Sequence, residues 1–494
     1  MAKGTLDILA NRIASKEFLG FNPSSDSPKP AHIANGLFRC VTGKEVDNAD
    51  LQKWLLYNTV KKTKPSEDIV KEYASILEDG ENTDPDKVTQ LRRMITSVVN
   101  HDKTVYPSYN SSAYTVSSFW LIHPRVLAEA RIGDFVFELL SKEIDGKRSP
   151  ALKLLADSLN NDHNDLTRIL KPILTLVSDG DKLKSSTVEF PDDEDINWNK
   201  CKQTLRDGFD RLAENLAITG EDKNPLLVQE RMVNYAGFCA FFYIVNAVTS
   251  LTNSMYIPIL VDSNIGIKSL RRASEHSFTN AKKAVEDYFV ECIKHILHED
   301  IPEDTLEGCE DWIRHDLRFV TTDEDDKQRP AIKIHFQNFY TDGGSPIEAL
   351  ARSLQMALYT FKYVYNSPSD FCRVLSVRFG LAGPKSESIK IKRYNIDSFT
   401  LETLSLSILS KEDLLDGINF KEFGKKLTTA YNILLGCEIE EEMEILQKFN
   451  ISQRTPGDLR GDLTLNAKAI ADMLISLGHA KRYADGVTLF KWRA

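Results

Sequence analysis

The amino-acid sequence predicts a mainly α, multidomain helical protein with short β elements. Apolar residues recur at steps of three and four over most of the chain, most clearly in residues 197–300. Hydrophobic residues make up 42% of the 494 residues, which is enough to form buried cores. At roughly 150 residues per domain, this length suggests about three domains. We place them at residues 1–145 (mainly helical), 146–370 (helical) and 371–494 (a β-hairpin and a C-terminal helical module).

Charge and cysteine content exclude several classes of protein. The net charge of −10 argues against a protein that coats nucleic acid with its whole surface, although it allows a local basic face. The seven cysteines are scattered and form no CxxC pair. We therefore expect a reducing cytoplasm, with neither a disulfide framework nor a zinc ribbon.

The first residues lack the apolar core of a signal peptide. The longest apolar run, residues 236–245, is about half a bilayer span and predicts a buried helix, so no membrane contact is expected.

Helices separated by acidic loops are expected over most of the first 370 residues. Helical patterns cover residues 48–101, 117–144, 149–177 and 197–300, and acidic loops are predicted at residues 179–195 and 322–327. One strand is predicted at Ala331–Tyr340, because Ile332, Ile334 and Phe336 occupy alternate positions. A helix should follow Ser345, which can cap its first turn.

Two further strands, Arg373–Ala382 and Ser388–Tyr394, are predicted on either side of Gly383-Pro384. Five cations decorate them: Arg378, Lys385, Lys390, Lys392 and Arg393. Lys390 and Lys392 alternate with isoleucines, a pattern that would place both lysines on the solvent face. Such a row of cations either protects an exposed strand edge from pairing or contacts nucleic acid.

The last hundred residues predict three helices followed by a β-hairpin. The helices are expected at Asp397–Leu409, Phe420–Leu435 and Leu463–Gly478. The inward side chains of the third helix should be Leu465, Ala469, Met473 and Leu477. Ala480–Trp492 should form the hairpin with Asp485-Gly486 at its tip, since this pair suits a tight turn.

This order of three helices and a hairpin predicts a C-terminal winged helix, a relative of the helix-turn-helix. The connection between the second and third helices, residues 436–462, is long for this fold. Its acidic part, Glu438–Glu444, is a candidate for an extra helix.

Positive charge is concentrated in the last helix and the hairpin. Residues 463–494 contain five basic and two acidic side chains, whereas residues 396–494 carry a net charge of −3. We therefore predict nucleic-acid contacts at Asn466, Lys468, Lys481, Arg482, Lys491 and Arg493, and on the preceding strands at Lys390, Lys392 and Arg393. Few of these side chains are suited to reading base edges, so backbone contact is expected rather than sequence readout. The alternative is that the module packs on a partner protein or on its own chain.

No sequence motif identifies a catalytic centre. His295 and His298 lie three residues apart near Glu299 and Asp300, but they lack the HExxH arrangement of a metalloprotease. Gly43-Lys44 lacks the upstream glycine of a phosphate loop. The weaker patterns are His101-Asp102 and His315-Asp316 for a phosphohydrolase, Asp325-Asp326-Lys327 for a nuclease, and Asp342-Gly343-Gly344-Ser345 for anion binding or a simple helix cap. We predict no metal and no cofactor, and enzyme activity remains an open alternative.

Four features of the C-terminal fifth follow a general winged-helix pattern: Phe399–Leu404, Asn466 near the start of a helix, Leu474–Gly478 and Tyr483–Gly486. With this pattern, residues 394–492 resemble the C-terminal part of accessory winged-helix subunits of bacterial anti-phage and DNA-restriction complexes. The resemblance implies a non-catalytic partner of an ATPase or nuclease subunit.

Three functional hypotheses follow. The first is a non-catalytic accessory subunit of a cytoplasmic DNA-acting complex of prokaryotic defence, which binds a partner subunit or double-stranded DNA through the winged helix. The second is a diverged nuclease or metal-dependent phosphohydrolase, whose site is assembled from distant residues such as His295 and His298. The third is a scaffold or regulatory protein without nucleic-acid contact.

Overall fold

The computed structural model describes residues 5–23, 28–43, 53–54, 56, 64–101, 130–159, 188–252, 254–315, 325–364, 367–386, 389–484 and 487–492. Several predictions lie outside these residues. They are the hairpin tip Asp485-Gly486, the candidate contact Arg493, and the parts of predicted helices at residues 117–129 and 160–177.

The described chain is mainly helical, as predicted. Its helices are α1 (Thr5–Ile13), α2 (Pro30–Thr42), α3 (Ser66–Glu72), α4 (Pro85–His101), α5 (Ile132–Ser141), α6 (Pro150–Leu159), α7 (Lys200–Thr219), α8 (Pro225–Thr252), α9 (Lys268–Asp300), α10 (Leu306–His315), α11 (Asp325–Thr341), α12 (Pro346–Ala357), α13 (Pro368–Arg378), α14 (Ser398–Ile408), α15 (Lys411–Asp416), α16 (Phe420–Tyr431), α17 (Ile439–Lys448) and α18 (Leu459–Ser476).

The strands are short: β1 (Ile259–Leu260), β2 (Ala382–Gly383), β3 (Arg393–Tyr394), β4 (Ile418–Asn419), β5 (Ile433–Leu434), β6 (Ala480–Arg482) and β7 (Thr488–Phe490). β1 runs parallel to β5, and β2 pairs antiparallel to β3. The other three form an antiparallel sheet in the order β4–β7–β6.

The central element is α8, which is buried on every face along most of its length. Helices α2, α5, α6, α7, α9, α13 and α14 pack against it. One close approach requires glycine: a Cβ on Gly237 would lie 2.1 Å from the ring of Phe379. Within the described ranges, only Pro225–Thr249 is long and apolar enough to cross a membrane, and 89% of its apolar stretch is buried inside the protein. This burial is that of a core helix, as the apolar run at residues 236–245 predicts.

One hydrophobic cluster extends from Leu6 to Trp492 and includes residues of all three predicted domains. A smaller cluster around Leu446 and Leu463 joins β1 and β5 to α9, α17 and α18. The domain boundaries themselves remain predictions.

The predicted strand at Ala331–Tyr340 is wrong, because these residues belong to α11. Ile332 and Phe336 are buried, whereas Ile334 between them is 57% exposed. A spacing of four residues puts Ile332 and Phe336 on one helical face. The first and last of three alternating apolar residues are also four residues apart, as on one helical face, so this short pattern could not separate a strand from a helix.

The predicted strand at Arg373–Ala382 is mostly wrong, because its first half belongs to α13. Ser367 caps this helix by accepting a hydrogen bond from the amide of Asp370 (3.2 Å). Ser388–Tyr394 is reduced to β3. The two short strands β2 and β3 do pair antiparallel, where two longer strands were expected.

The three predicted C-terminal helices are confirmed as α14, α16 and α18, and the acidic candidate helix is confirmed as α17. Asp397 and Asn419 cap α14 and α16 with their side chains. Helix α16 ends at Tyr431 instead of Leu435, because Asn432 adopts a left-handed conformation (φ 51°) and the chain continues as β5.

The inward face predicted for the last helix is wrong. Leu465 is 52% exposed, and the buried stripe of α18 contains Leu463, Ile470 and Leu474. Both stripes have helical spacing, so periodicity alone did not distinguish them. Packing of α18 against α9 and α17 decides which stripe is buried.

Candidate functional site

The C-terminal module combines α14, α16 and α18 with the β4–β7–β6 sheet. Phe423 of α16 stacks on Phe490 of β7, with ring centroids 4.7 Å apart and nearly parallel planes. In the hairpin, Lys481 pairs with Leu489 across β6 and β7. The strands of the predicted hairpin are therefore confirmed, while its tip lies outside the described residues.

A buried polar network attaches the hairpin to the helical body. His479 Nε2 lies 3.1 Å from Glu402 Oε1, and Arg231 donates to Glu402 Oε2 at 2.8 Å. Burial alone would raise the pKa of Glu402, but the hydrogen bonds from His479 and Arg231 hold it below its usual value. His479 also stacks on Trp492, with ring centroids 4.1 Å apart. No local sequence pattern indicates this network, since its members lie on three distant segments of the chain.

Asn466, predicted to contact nucleic acid, is fully buried. Its side chain accepts a hydrogen bond from the Ser263 amide (3.0 Å) and donates to the carbonyls of Val261 (2.8 Å) and Leu435 (3.0 Å). These bonds hold the segments that follow β1 and β5 against α18. The prediction for Asn466 is therefore wrong. Its helical spacing from Leu463 was the signal that could have shown it on the inward face.

The predicted contact residues of the module that reach the surface are Lys468, Lys481, Arg482 and Lys491. The Lys481 amine lies 5.3 Å from the ring centroid of Tyr483. Arg482 Nη2 lies 2.8 Å from Asp472 Oδ1, so its charge is partly neutralised. These side chains are accessible to a partner, and their binding of nucleic acid stays a prediction.

Apolar side chains are also exposed on this module. Leu465 is 52% exposed, Tyr483 46% and Val487 41%. Aromatic side chains are enriched in protein–protein interfaces, whereas base-reading surfaces depend on polar side chains in the groove. The surface therefore offers both charge and apolar area.

The basic residues near β3 differ in their exposure and in their partners. Lys390 is exposed, as predicted, but Lys392 is only 2% exposed and donates to the carbonyls of Pro384 (2.6 Å) and Ser386 (2.7 Å). Arg393 forms a 2.6 Å ion pair with Asp262. The shared solvent face of the two lysines is thus wrong, because the chain here is a loop and not a regular strand. The loop turns the isoleucines outward instead, with Ile391 67% exposed.

His295 and His298, the histidines of the alternative enzyme hypothesis, do not share a candidate metal group among the described residues. His295 lies with Glu17 and Glu299, and this exposed group does not include His298. Arg12 occupies the carboxylates, donating to Glu299 Oε2 at 2.7 Å and to Glu17. These hydrogen bonds, foremost the one that Arg12 donates to Glu299, raise the pKa of Arg12 above its usual value. The group is an ion-pair cluster that joins α1 to the end of α9.

The remaining motifs have structural roles or lie outside the described residues. Gly43 ends α2 in a left-handed conformation (φ 67°), and Lys44 of the Gly-Lys pair lies outside the described residues. Ser345 accepts from the Glu348 amide and caps α12, as a simple helix cap would. The side chains of His101, His315 and residues 325–327 are outside the described part of the chain.

No protein-family model matches this sequence, and no curated protein or solved structure was found to match it. Function therefore has to be inferred from the residues and their arrangement.

Proposed function

We propose that the C-terminal module is a winged helix and that the chain is a non-catalytic accessory subunit of a DNA-acting complex. The observation that carries the proposal is the β4–β7–β6 sheet. The strand that precedes α16 joins the C-terminal hairpin, and α16 and α18 both pack on this sheet. The order of helices, strand and hairpin is that of a winged helix.

The exposed side chains favour a partner protein as the ligand of this module. The outward face of α18 carries the apolar Leu465 and also Asp472, which pairs with Arg482 and so reduces the positive charge available to a phosphate. Asn466, which could read a base edge, is buried. Tyr483 and Val487 add exposed apolar area on the hairpin, which suits contact with a protein surface.

Double-stranded DNA is the second candidate, supported by the exposed amines of Lys468, Lys481 and Lys491. Lysines placed in this way contact phosphates without regard to sequence. The DNA-acting context and the ATPase or nuclease partner rest on the resemblance of the C-terminal segments to anti-phage and restriction subunits. The cytoplasmic location rests on the scattered cysteines.

A pair of double variants separates the two ligands. Leu465→Asp with Val487→Asp removes exposed apolar area, and Lys481→Glu with Lys491→Glu reverses exposed charge. Each tagged protein would be purified from the organism that encodes it, and the partners that co-purify in stoichiometric amounts would be identified. Its affinity for a labelled DNA duplex would then be measured at about 50 and 200 mM salt. Circular dichroism would verify folding.

We expect the apolar variant to lose a stoichiometric partner subunit and the charge variant to keep it. DNA is the ligand if the charge variant alone weakens duplex binding and reduces the log–log salt slope by about 0.9 per lost phosphate contact. The proposal fails if the folded wild-type protein retains no partner and binds no duplex.

A further inference from the structure

Four of the six residues that line a small cavity between α13 and the loop joining β2 to β3 are cations. Its volume is about 220 Å³, and its lining residues are Arg373, Val374, Val377, Arg378, Lys385 and Lys392. We call this cavity the basic pocket. Among the described residues that line it, four carry positive charge and none is acidic.

We propose that the basic pocket binds a phosphoryl group. Four positive charges around one cavity repel one another, and a multiply charged anion reduces that repulsion while it accepts hydrogen bonds from Arg373 and Lys385. A phosphoryl group carries up to two negative charges and three acceptor oxygens, which suits this concentration of positive charge better than a singly charged carboxylate does.

Arg373 is the residue most clearly prepared for such a ligand. It is 8% exposed, and its Nε donates to Asp370 Oδ1 at 3.0 Å, which fixes the plane of the guanidinium. Within the described part of the chain, its two terminal nitrogens make no hydrogen bond to protein. A planar guanidinium with both terminal nitrogens available can donate two parallel hydrogen bonds to a phosphoryl group.

Lys392 is held in place from the opposite side. Its amine is nearly buried and donates to the carbonyls of Pro384 and Ser386, at 2.6 and 2.7 Å. These two bonds position the charge before any ligand arrives, so binding would cost little side-chain entropy. Lys385 also lines the pocket and is exposed, so its amine can move to contact a bound ligand.

The electrostatic surroundings agree with this assignment. His32 of α2 is 6% exposed, and burial together with the positive charges of Lys29 and Arg378 lowers its pKa to about 4. The histidine therefore stays neutral at physiological pH because adding another charge here is unfavourable. Of the residues that line the pocket, Arg378 contributes to this shift, after the burial of His32 itself and the charge of Lys29.

The size of the pocket limits the ligand. A volume of about 220 Å³ is below the ~300–1,000 Å³ of drug-sized ligand sites. One or two phosphoryl groups fit, and the rest of a larger ligand would lie outside. The phosphoryl group can belong to a free phosphate or pyrophosphate, or to the 5′ end of a nucleic acid strand.

Calorimetric titration with sodium pyrophosphate tests the site directly, with sodium chloride at equal ionic strength as the reference. Lys385→Gln removes an exposed cation without disturbing the core, and Arg373→Gln removes the arginine that faces the cavity. Lys390→Gln is the matched control, because Lys390 is exposed in the same loop but does not line the pocket. Arg373→Lys keeps the charge and removes the planar fork.

We expect one pyrophosphate per chain, about tenfold or more weaker binding in Lys385→Gln and Arg373→Gln, and unchanged binding in Lys390→Gln. Arg373→Lys should bind with intermediate affinity. A 5′-phosphorylated oligonucleotide compared with its 5′-hydroxyl form distinguishes a strand end from a free phosphate as the source. The proposal is overturned if neither pyrophosphate nor the 5′-phosphorylated strand binds. It is also overturned if Lys385→Gln and the control bind equally.

Discussion

Replacing Asn466 by alanine tests whether this residue holds the fold together or contacts nucleic acid. The substitution removes three hydrogen bonds and leaves the carbonyls of Val261 and Leu435 buried without these donors. At about 1 kcal/mol for each buried carbonyl and for the Ser263 amide, the free energy of unfolding should fall by about 3 kcal/mol. Urea denaturation followed by circular dichroism measures this change.

The matched control is Lys468→Ala, two residues further along α18 and exposed. It should change the free energy of unfolding by less than about 0.5 kcal/mol. Hydrogen exchange at the Ser263 amide, which donates to Asn466, should accelerate in Asn466→Ala alone. A loss of stability below about 1 kcal/mol in Asn466→Ala would refute the reasoning.

A charge at the same position gives a second check. In Asn466→Asp the carboxylate would face the carbonyl oxygens of Val261 and Leu435, and both donors would be lost. Ionisation is then unfavourable in the folded state, so the folded protein binds a proton more tightly than the unfolded chain. The free energy of unfolding of Asn466→Asp should therefore decrease, relative to that of Asn466→Ala, as the pH rises. A difference between the two variants that does not change with pH would contradict the proposed contacts.

Three further predictions concern the core and the network that anchors the module. Burial raises the pKa of Glu442 from its usual 4.5 to about 6, so the folded state binds more protons between these values. Wild-type stability should therefore fall by about 2 kcal/mol as pH rises from about 4.5 through 6, and Glu442→Gln should lack this dependence in pH-varied urea titrations. Gly237→Ala should reduce the free energy of unfolding by about 3 kcal/mol or more, because the added Cβ would overlap the ring of Phe379. Arg231→Met should cost about 3–5 kcal/mol, because Glu402 would lose its buried arginine partner.

Each of these outcomes has a control. Gly461→Ala, at an exposed position in the first turn of α18, should be neutral or stabilising, since only the Asp458 carboxylate approaches within 3.0 Å. Combining Arg231→Met with Glu402→Gln should recover part of the lost stability, because no unpaired carboxylate then remains at position 402. Equal losses in the single and double variants would contradict the ion pair. A pH dependence that persists in Glu442→Gln would assign it to another group.

The sequence by itself determined where most helices lie and where several begin. Helical periodicity over Phe420–Tyr431 and capping residues such as Asp397 and Asn419 act within one or two turns, so local sequence contains their whole signal. The same holds for the hairpin strands at the C-terminus and for the acidic helix α17. Composition also predicted the buried helix at the centre, because an apolar run of that length has to be covered.

Tertiary structure alone decided which face of each element is buried and which charges meet. The stripe of α18 that contains Leu465 and the stripe that contains Leu463 both have helical spacing. Only packing against α9 and α17 buries the stripe with Leu463, and Asn466 is buried with it. Lys392 looks like any surface lysine in the sequence, but the carbonyls that hold it come from a loop fold that no periodicity encodes. The basic pocket combines a helix that was predicted as a strand with this loop, and Arg231, Glu402 and His479 meet from distant segments. Such contacts depend on the folded positions of the backbone, which short-range patterns do not specify.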